Sequence, residues 1–183
     1  MIKHILFPFD FSSQGQQAAS FVQALASRYG AKVTLFSVVP PVWDVSLAAT
    51  GAVQGDTVAE WMRDLKSRLD VALPGGLTGV DVTRVVDSGD PALTIVDFAR
   101  TNGVDLIMMP THGNGPFRSL LLGSVTAKVL HDATCAVWTA AHAETQHASP
   151  LPRTVLCALD ATPANLTLLP WAAEFSARMG ATL

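Results

Sequence analysis

Apolar residues follow two alternating rhythms along this chain: short unbroken runs, and longer stretches in which they recur every third or fourth position. Ile5 to Phe9 is a run of the first kind, broken at Asp10-Phe11-Ser12-Ser13, as expected of a strand covered on both faces. Ala18, Phe21, Val22, Leu25 and Tyr29 then fall at helical spacing. Ser12 or Ser13 is placed to cap that helix, and Gly30 to take the left-handed position past its end. Lys32 to Val39 predicts a second strand, closed by Pro40-Pro41. Val58, Trp61, Leu65 and Leu69 predict a second helix, running to about Leu73 before Pro74-Gly75-Gly76 stops it.

Val80 to Val86 alternates as a third strand, and Asp90-Pro91 is a cap with proline at the first helical position. Ala92, Ile95, Val96 and Ala99 supply the buried face of that helix, which Gly103 ends. Val104 to Met109 is a fourth strand, a glycine-bearing loop leads into a helix from Ser124 to His131, and Cys135 to Thr139 is a fifth strand. Strands alternating with helices require crossover connections, so the pattern predicts an α/β fold: an open parallel sheet with helices on both faces, ending near residue 140.

Ala141 to Pro152 has no apolar periodicity and reads as a linker, with His142 and His147 solvated in it. A repeat follows. A shift of 150 without gaps sets Arg153-Thr154-Val155-Leu156-Cys157-Ala158-Leu159-Asp160 beneath Lys3-His4-Ile5-Leu6-Phe7-Pro8-Phe9-Asp10, and pairs Phe21 with Trp171, Arg28 with Arg178 and Gly30 with Gly180. Residues 153–183 are therefore expected to be the truncated opening of a second copy. Its glycine loop would fall past the last residue, so one complete site is expected.

Composition narrows the function. Of 183 residues 49% are hydrophobic and 15% charged, enough to bury a core, and the formal net charge of -3 offers no footprint for nucleic acid. Cys135 and Cys157 lie in apolar runs without metal or redox spacing and are expected to be buried, reduced thiols. Neither a secretory leader nor an 18-residue apolar span is visible. The expected setting is cytoplasmic.

Ligands of open parallel sheets bind beyond the carboxyl ends of the strands. One loop there offers Pro8 and Asp10; the other runs from Thr111-His112-Gly113-Asn114-Gly115 through Arg118 to Gly123-Ser124-Val125-Thr126. Gly113 and Gly115 let backbone approach a ligand, and Gly123-Ser124-Val125-Thr126 opens a helix whose unpaired amides favour phosphate oxygens. Ser124 and Thr126 add hydroxyls and Arg118 a charge. The bland alternative is a glycine-rich turn with a serine cap. The segment is neither a Walker loop nor a dinucleotide fingerprint.

Gly113, nine residues, then Gly123-Ser124, preceded by Met109-Pro110-Thr111-His112, resembles the signature of the universal stress protein family. The resemblance extends to Ile5-Leu6-Phe7-Pro8-Phe9-Asp10-Phe11-Ser12, Ser37-Val38-Val39-Pro40 and Ala133-Thr134-Cys135-Ala136-Val137. It covers about residues 1–140 and implies a Rossmann-like adenine-nucleotide fold of strand order 3-2-1-4-5, with homodimerisation through the fifth strand. It also implies ATP, with or without Mg2+, as ligand. Asp10 would then accept from ribose hydroxyls, Pro8 and Val38 would line the adenine pocket, and Met109 would wall base and sugar. Gly113, Gly123, Ser124, Val125 and Thr126 would hold the phosphates. One departure stands out: ATP-binding members carry glycine where this chain has Pro110, which removes an amide donor and fixes φ.

Asp10 has a bland reading as a cap of the first helix or its turn. His112 has no Ser, Cys or carboxylate close to it in sequence and is expected to be a turn histidine. Asp87 and Asp90 resemble a paired carboxylate, but Asp90 before Pro91 is better explained as a cap. Trp43 and Leu47 sit in a long segment fit to cover a pocket or a partner. Three functions remain open: a nucleotide-binding stress or regulatory protein, a slow ATPase or autokinase using Ser124 or Thr126 as acceptor, and a nucleotide-free interaction module of the same fold.

Overall fold

The computed structural model describes residues 1–41, 58–111, 122–140, 151–159, 162 and 168–183. Five strands, β1 (His4–Pro8), β2 (Lys32–Val39), β3 (Val82–Ser88), β4 (Leu106–Pro110) and β5 (Ala136–Ala140), form one parallel sheet of order β3-β2-β1-β4-β5. The described helices are α1 (Ser13–Tyr29), α2 (Val58–Asp70), α3 (Pro91–Thr101), α4 (Ser124–Asp132) and α5 (Leu168–Met179). The strand order expected from the resemblance is the one observed.

Alternation along the strands builds two cores. Ile5, Phe7, Val33, Leu35, Leu106 and Met108 point to one face and pack with α1 and with Leu69 of α2. Leu6, Phe36, Ile107 and Met109 point to the other and meet Ala92, Ile95 and Ala99 of α3 and Val129 of α4. Phe7, Ile5 and Leu6 are fully excluded from solvent, and burial of that kind stabilises by about 1.5–3 kcal/mol per side chain.

Local chemistry sets the element ends. Ser12 caps α1, its hydroxyl accepting from the Gly15 amide at 3.0 Å, and Gly30 ends the helix at φ 64. Asp90 caps α3 by accepting from the Ala92 and Leu93 amides, each at 3.1 Å. α2 ends at Asp70, earlier than the apolar pattern predicts, because the chain turns through left-handed Leu73 (φ 53) and Gly75 (φ 78) while Arg84 takes the Leu69 and Ala72 carbonyls. β3 begins at Val82 rather than Val80. Val80 closes a turn onto the Leu77 carbonyl, and the pairing with β2 starts at Val33↔Val82. Cys135 and Cys157 are free but only half-buried, a correction to the expectation of buried thiols.

At a few described positions residues 153–183 show the same local geometry as their counterparts 150 residues earlier. Thr154 pairs with Thr182 in parallel, as His4 pairs with Lys32. The Thr182 amide donates to the Arg153 carbonyl at 3.0 Å, as Lys32 donates to Lys3 at 3.0 Å, and Gly180 adopts φ 67 where Gly30 adopts φ 64. α5 rests on α1: Phe175 stacks on Tyr29, Arg178 lies over the Tyr29 ring, and the Arg28 side chain donates to the Arg178 carbonyl. Leu156, counterpart of the fully buried Leu6, is 92% exposed.

Candidate functional site

The chain steps from β1 outward to β2 and β3, then crosses back to β4 and β5 on the other side of β1. The direction of winding thus reverses between β1 and β4, which makes their carboxyl ends the switch point. The pairing between these two strands is short there, in part because Pro8, the next residue of β1 to face β4, has no amide to donate. β1 pairs with β2 as far as Pro8↔Phe36, and β4 with β5 as far as Pro110↔Ala140, but β1 and β4 pair only at Ile5↔Leu106 and Leu6↔Ile107.

The three residues expected to meet the base and sugar share one face of the sheet. Pro8 follows Leu6 by two residues on β1, Val38 follows Phe36 by two on β2, and Met109 follows Ile107 by two on β4. All three therefore lie on the face covered by α3 and α4. Pro8 and Val38 are half-buried, and Met109 is buried.

Asp10 stands exposed just past β1, where its carboxylate accepts from the Ser12 amide at 3.0 Å. Ser12, not Asp10, caps α1. Phe11 between them is in the left-handed region at φ 61. The Ser37 hydroxyl donates to the Phe9 carbonyl and the Phe9 amide to the Phe36 carbonyl at 2.8 Å, tying this turn to β2. Periodicity did not single out Gly15. A Cβ there would lie 3.2 Å from the Phe9 ring and 3.3 Å from the Asp10 carboxylate, and the readable signal was a glycine in the first turn of a helix, where it is otherwise unfavourable.

On the β4 side, Gly123 is the N-cap of α4 and makes no side-chain cap. Its φ of -67 is open to any residue, so the value of glycine there is the missing side chain. Its amide donates to the Thr111 carbonyl at 2.8 Å, anchoring the helix start beside the end of β4. Ser124 is exposed and Val125 half-buried. Thr126 is only 3% exposed, and its hydroxyl donates to the carbonyl of Pro110 at 3.2 Å. Pro110 itself is buried as the last residue of β4. Gly113, Gly115, His112, Arg118, Trp43, Leu47, His142 and His147 lie outside the described residues.

Lys128 of α4 reaches the Asp90 carboxylate at 3.4 Å. The Leu93 amide above all, with Lys128 and the Ala92 amide, holds the Asp90 carboxyl below its usual range against an opposing effect of burial. Asp87 accepts from the Ser88 amide at 2.8 Å. Among the described residues no group of three or more His, Cys, Asp or Glu side chains is arranged to hold a metal ion. A groove of about 470 Å³ lies on the α1 and α2 face between Phe9, Phe11, Ala19, Leu73 and Pro74, and Pro8, Val38 and Met109 do not line it.

Residues 1–140 match the sequence profile of the Universal stress protein family. The chain belongs to the universal stress protein family. Among curated relatives it is 29% identical over 146 residues to universal stress protein MJ0577 of Methanocaldococcus jannaschii, covering 71% of this chain and 89% of the relative. It is 34% identical over 143 residues to a universal stress protein of Thermus aquaticus, covering 75% and 97%. A solved structure of MJ0577 superimposes with a TM-score of 0.60 at 28% identity, over 76% of this chain and 95% of that one. A universal stress protein solved in complex with cAMP shares the fold, with a TM-score of 0.59 at 18% identity over 76% and 97% of the two chains. No described helix is long and apolar enough to cross a membrane.

Proposed function

We propose that this universal stress protein binds ATP beyond the carboxyl ends of β1 and β4 and acts as a cytoplasmic stress-response or regulatory protein. The observation that carries the reading is the switch point at the carboxyl ends of β1 and β4, with Asp10 just past one strand and the start of α4, which has no side-chain cap, anchored beside the other. Pro8, Val38 and Met109, on one face of three adjacent strands, form an apolar seat for a flat base. Asp10 accepts from the ribose hydroxyls, and the Gly123–Thr126 turn meets phosphate with its amides.

Thr126 contributes through its backbone, since its hydroxyl is engaged with Pro110. That leaves the exposed Ser124 hydroxyl as the side-chain donor within the Gly123–Thr126 turn. Pro110 is compatible with the reading because its place is in the strand, where its carbonyl fastens α4. Solved structures of this fold with cAMP and with dAMP support the general class of ligand, at 18% and 19% identity. β5 is an edge strand, and we assign it the role of homodimer contact. Residues 153–183 are read as the opening of a second domain, supported by the shared register of Thr154↔Thr182 and His4↔Lys32.

Nucleotide extraction from the purified protein, followed by calorimetry with Mg-ATP, tests the reading. Expected are an adenine nucleotide in the extract and a dissociation constant below about millimolar, the scale of about -4 kcal/mol. Gly123→Val should abolish the binding with the fold retained. Wild-type affinity in that variant, or no binding by the wild type, removes this function.

A further inference from the structure

Phe11 adopts φ 61, a conformation that disfavours a residue with a bulky side chain and persists only where its surroundings over-determine it. Those surroundings are visible. The Phe11 ring packs on Phe9 with centroids 5.0 Å apart, and Phe9 in turn on Phe7 at 5.8 Å. The guanidinium of Arg68, on the last turns of α2, lies over the Phe11 ring, 4.6 Å from its centre. Phe11 is the residue between Asp10 and the cap Ser12, and its left-handed turn goes with the contact in which the Asp10 carboxylate accepts from the Ser12 amide. Gly15 leaves the space that this carboxylate and the Phe9 ring occupy.

We propose that Arg68 and Phe11 form a clamp that positions the Asp10 carboxylate, and that selectivity for the hydroxyls of a ribose depends on this clamp. The inference rests on the nucleotide reading above and adds to it a residue of α2, which lies on the opposite face of the sheet from the base seat. Neither Arg68 nor Phe11 needs to touch the nucleotide. The cation holds the ring, the ring holds the left-handed turn, and the turn holds the carboxylate. An exposed cation over an aromatic face contributes modestly, so the effect of losing it is partial.

The test compares the affinities of the full chain for ATP and for 2′,3′-dideoxy-ATP, which lacks both ribose hydroxyls. In the wild type ATP binds more tightly, and Arg68→Ala should cut that preference by about threefold while binding of the dideoxy nucleotide stays the same. Phe11→Ala should cut it by about tenfold. Arg68→Lys keeps a cation over the ring and should retain the preference. Asp64→Ala removes the 3.9 Å ion pair of Arg68 without removing its cation, and should also retain it. The clamp is refuted if Arg68→Ala keeps the wild-type preference, or if Asp64→Ala lowers it equally. Absence of nucleotide binding by the wild type would instead remove the underlying function, and equal affinity of the wild type for both nucleotides would remove the role of Asp10.

Discussion

The hydroxyl of Thr126 donates to the carbonyl of Pro110 across 3.2 Å, fastening the first turn of α4 to the last residue of β4. Both groups are buried, so the bond joins the candidate phosphate turn to the sheet without water. Thr126→Val keeps the shape and removes the donor, leaving the carbonyl unsatisfied. We expect a stability loss of about 1–3 kcal/mol in urea unfolding, together with weaker ATP binding. Unchanged stability would show that this bond does not hold the turn.

His4 predicts a pH response. Its imidazole is buried at the start of β1, with Nε2 2.8 Å from the Thr34 hydroxyl and Nδ1 3.3 Å from the Asn102 carbonyl. Burial first, and the nearby charge of Lys32 second, push its pKa below the usual 6.5. As pH falls below that value the unfolded chain takes up a proton that the folded chain refuses, so stability must fall with pH until the folded pKa is reached. Unfolding midpoints between pH 7.5 and 5 should decline in the wild type. The decline should be smaller in His4→Gln, and equal slopes in the two proteins would clear His4.

Asp90 has the opposite sign. Its carboxyl is held below the usual 3.8, chiefly by the Leu93 amide, so its contribution is present above that value and is lost as pH falls through the lower folded pKa. Asp90→Ala should cost about 1 kcal/mol at neutral pH through loss of the α3 cap. The gap between variant and wild type should close in acid. A gap that persists at the lowest pH at which both fold would assign the loss to packing.

Leu6 and Leu156 occupy matching positions, 150 residues apart, with opposite surroundings. Leu6 is fully buried under α3 and α4, whereas Leu156 is 92% exposed. Leu6→Ala should therefore cost about 2–5 kcal/mol, and Leu156→Ala less than about 0.5 kcal/mol. Chemical unfolding of the two variants side by side measures both. A comparable loss from Leu156→Ala would mean that this strand is covered in solution.

The amino-acid sequence by itself determined the elements and their order. Apolar runs and helical spacing marked the strands and helices of residues 1–140, and Ser12, Gly30 and Asp90 performed the local roles that their chemistry predicts. Such signals are legible because capping and periodicity act within a few residues. The resemblance of the glycine-bearing segment to a family carried the strand order that periodicity cannot supply. Only the tertiary structure decided what depends on distant partners. It showed where the pairing of β1 with β4 ends, that Pro8, Val38 and Met109 share one face, and that the Thr126 hydroxyl is occupied by Pro110. It also set Arg68 over Phe11, 57 positions away along the chain, a contact that no local pattern encodes because the folded sheet alone brings α2 to the end of β1.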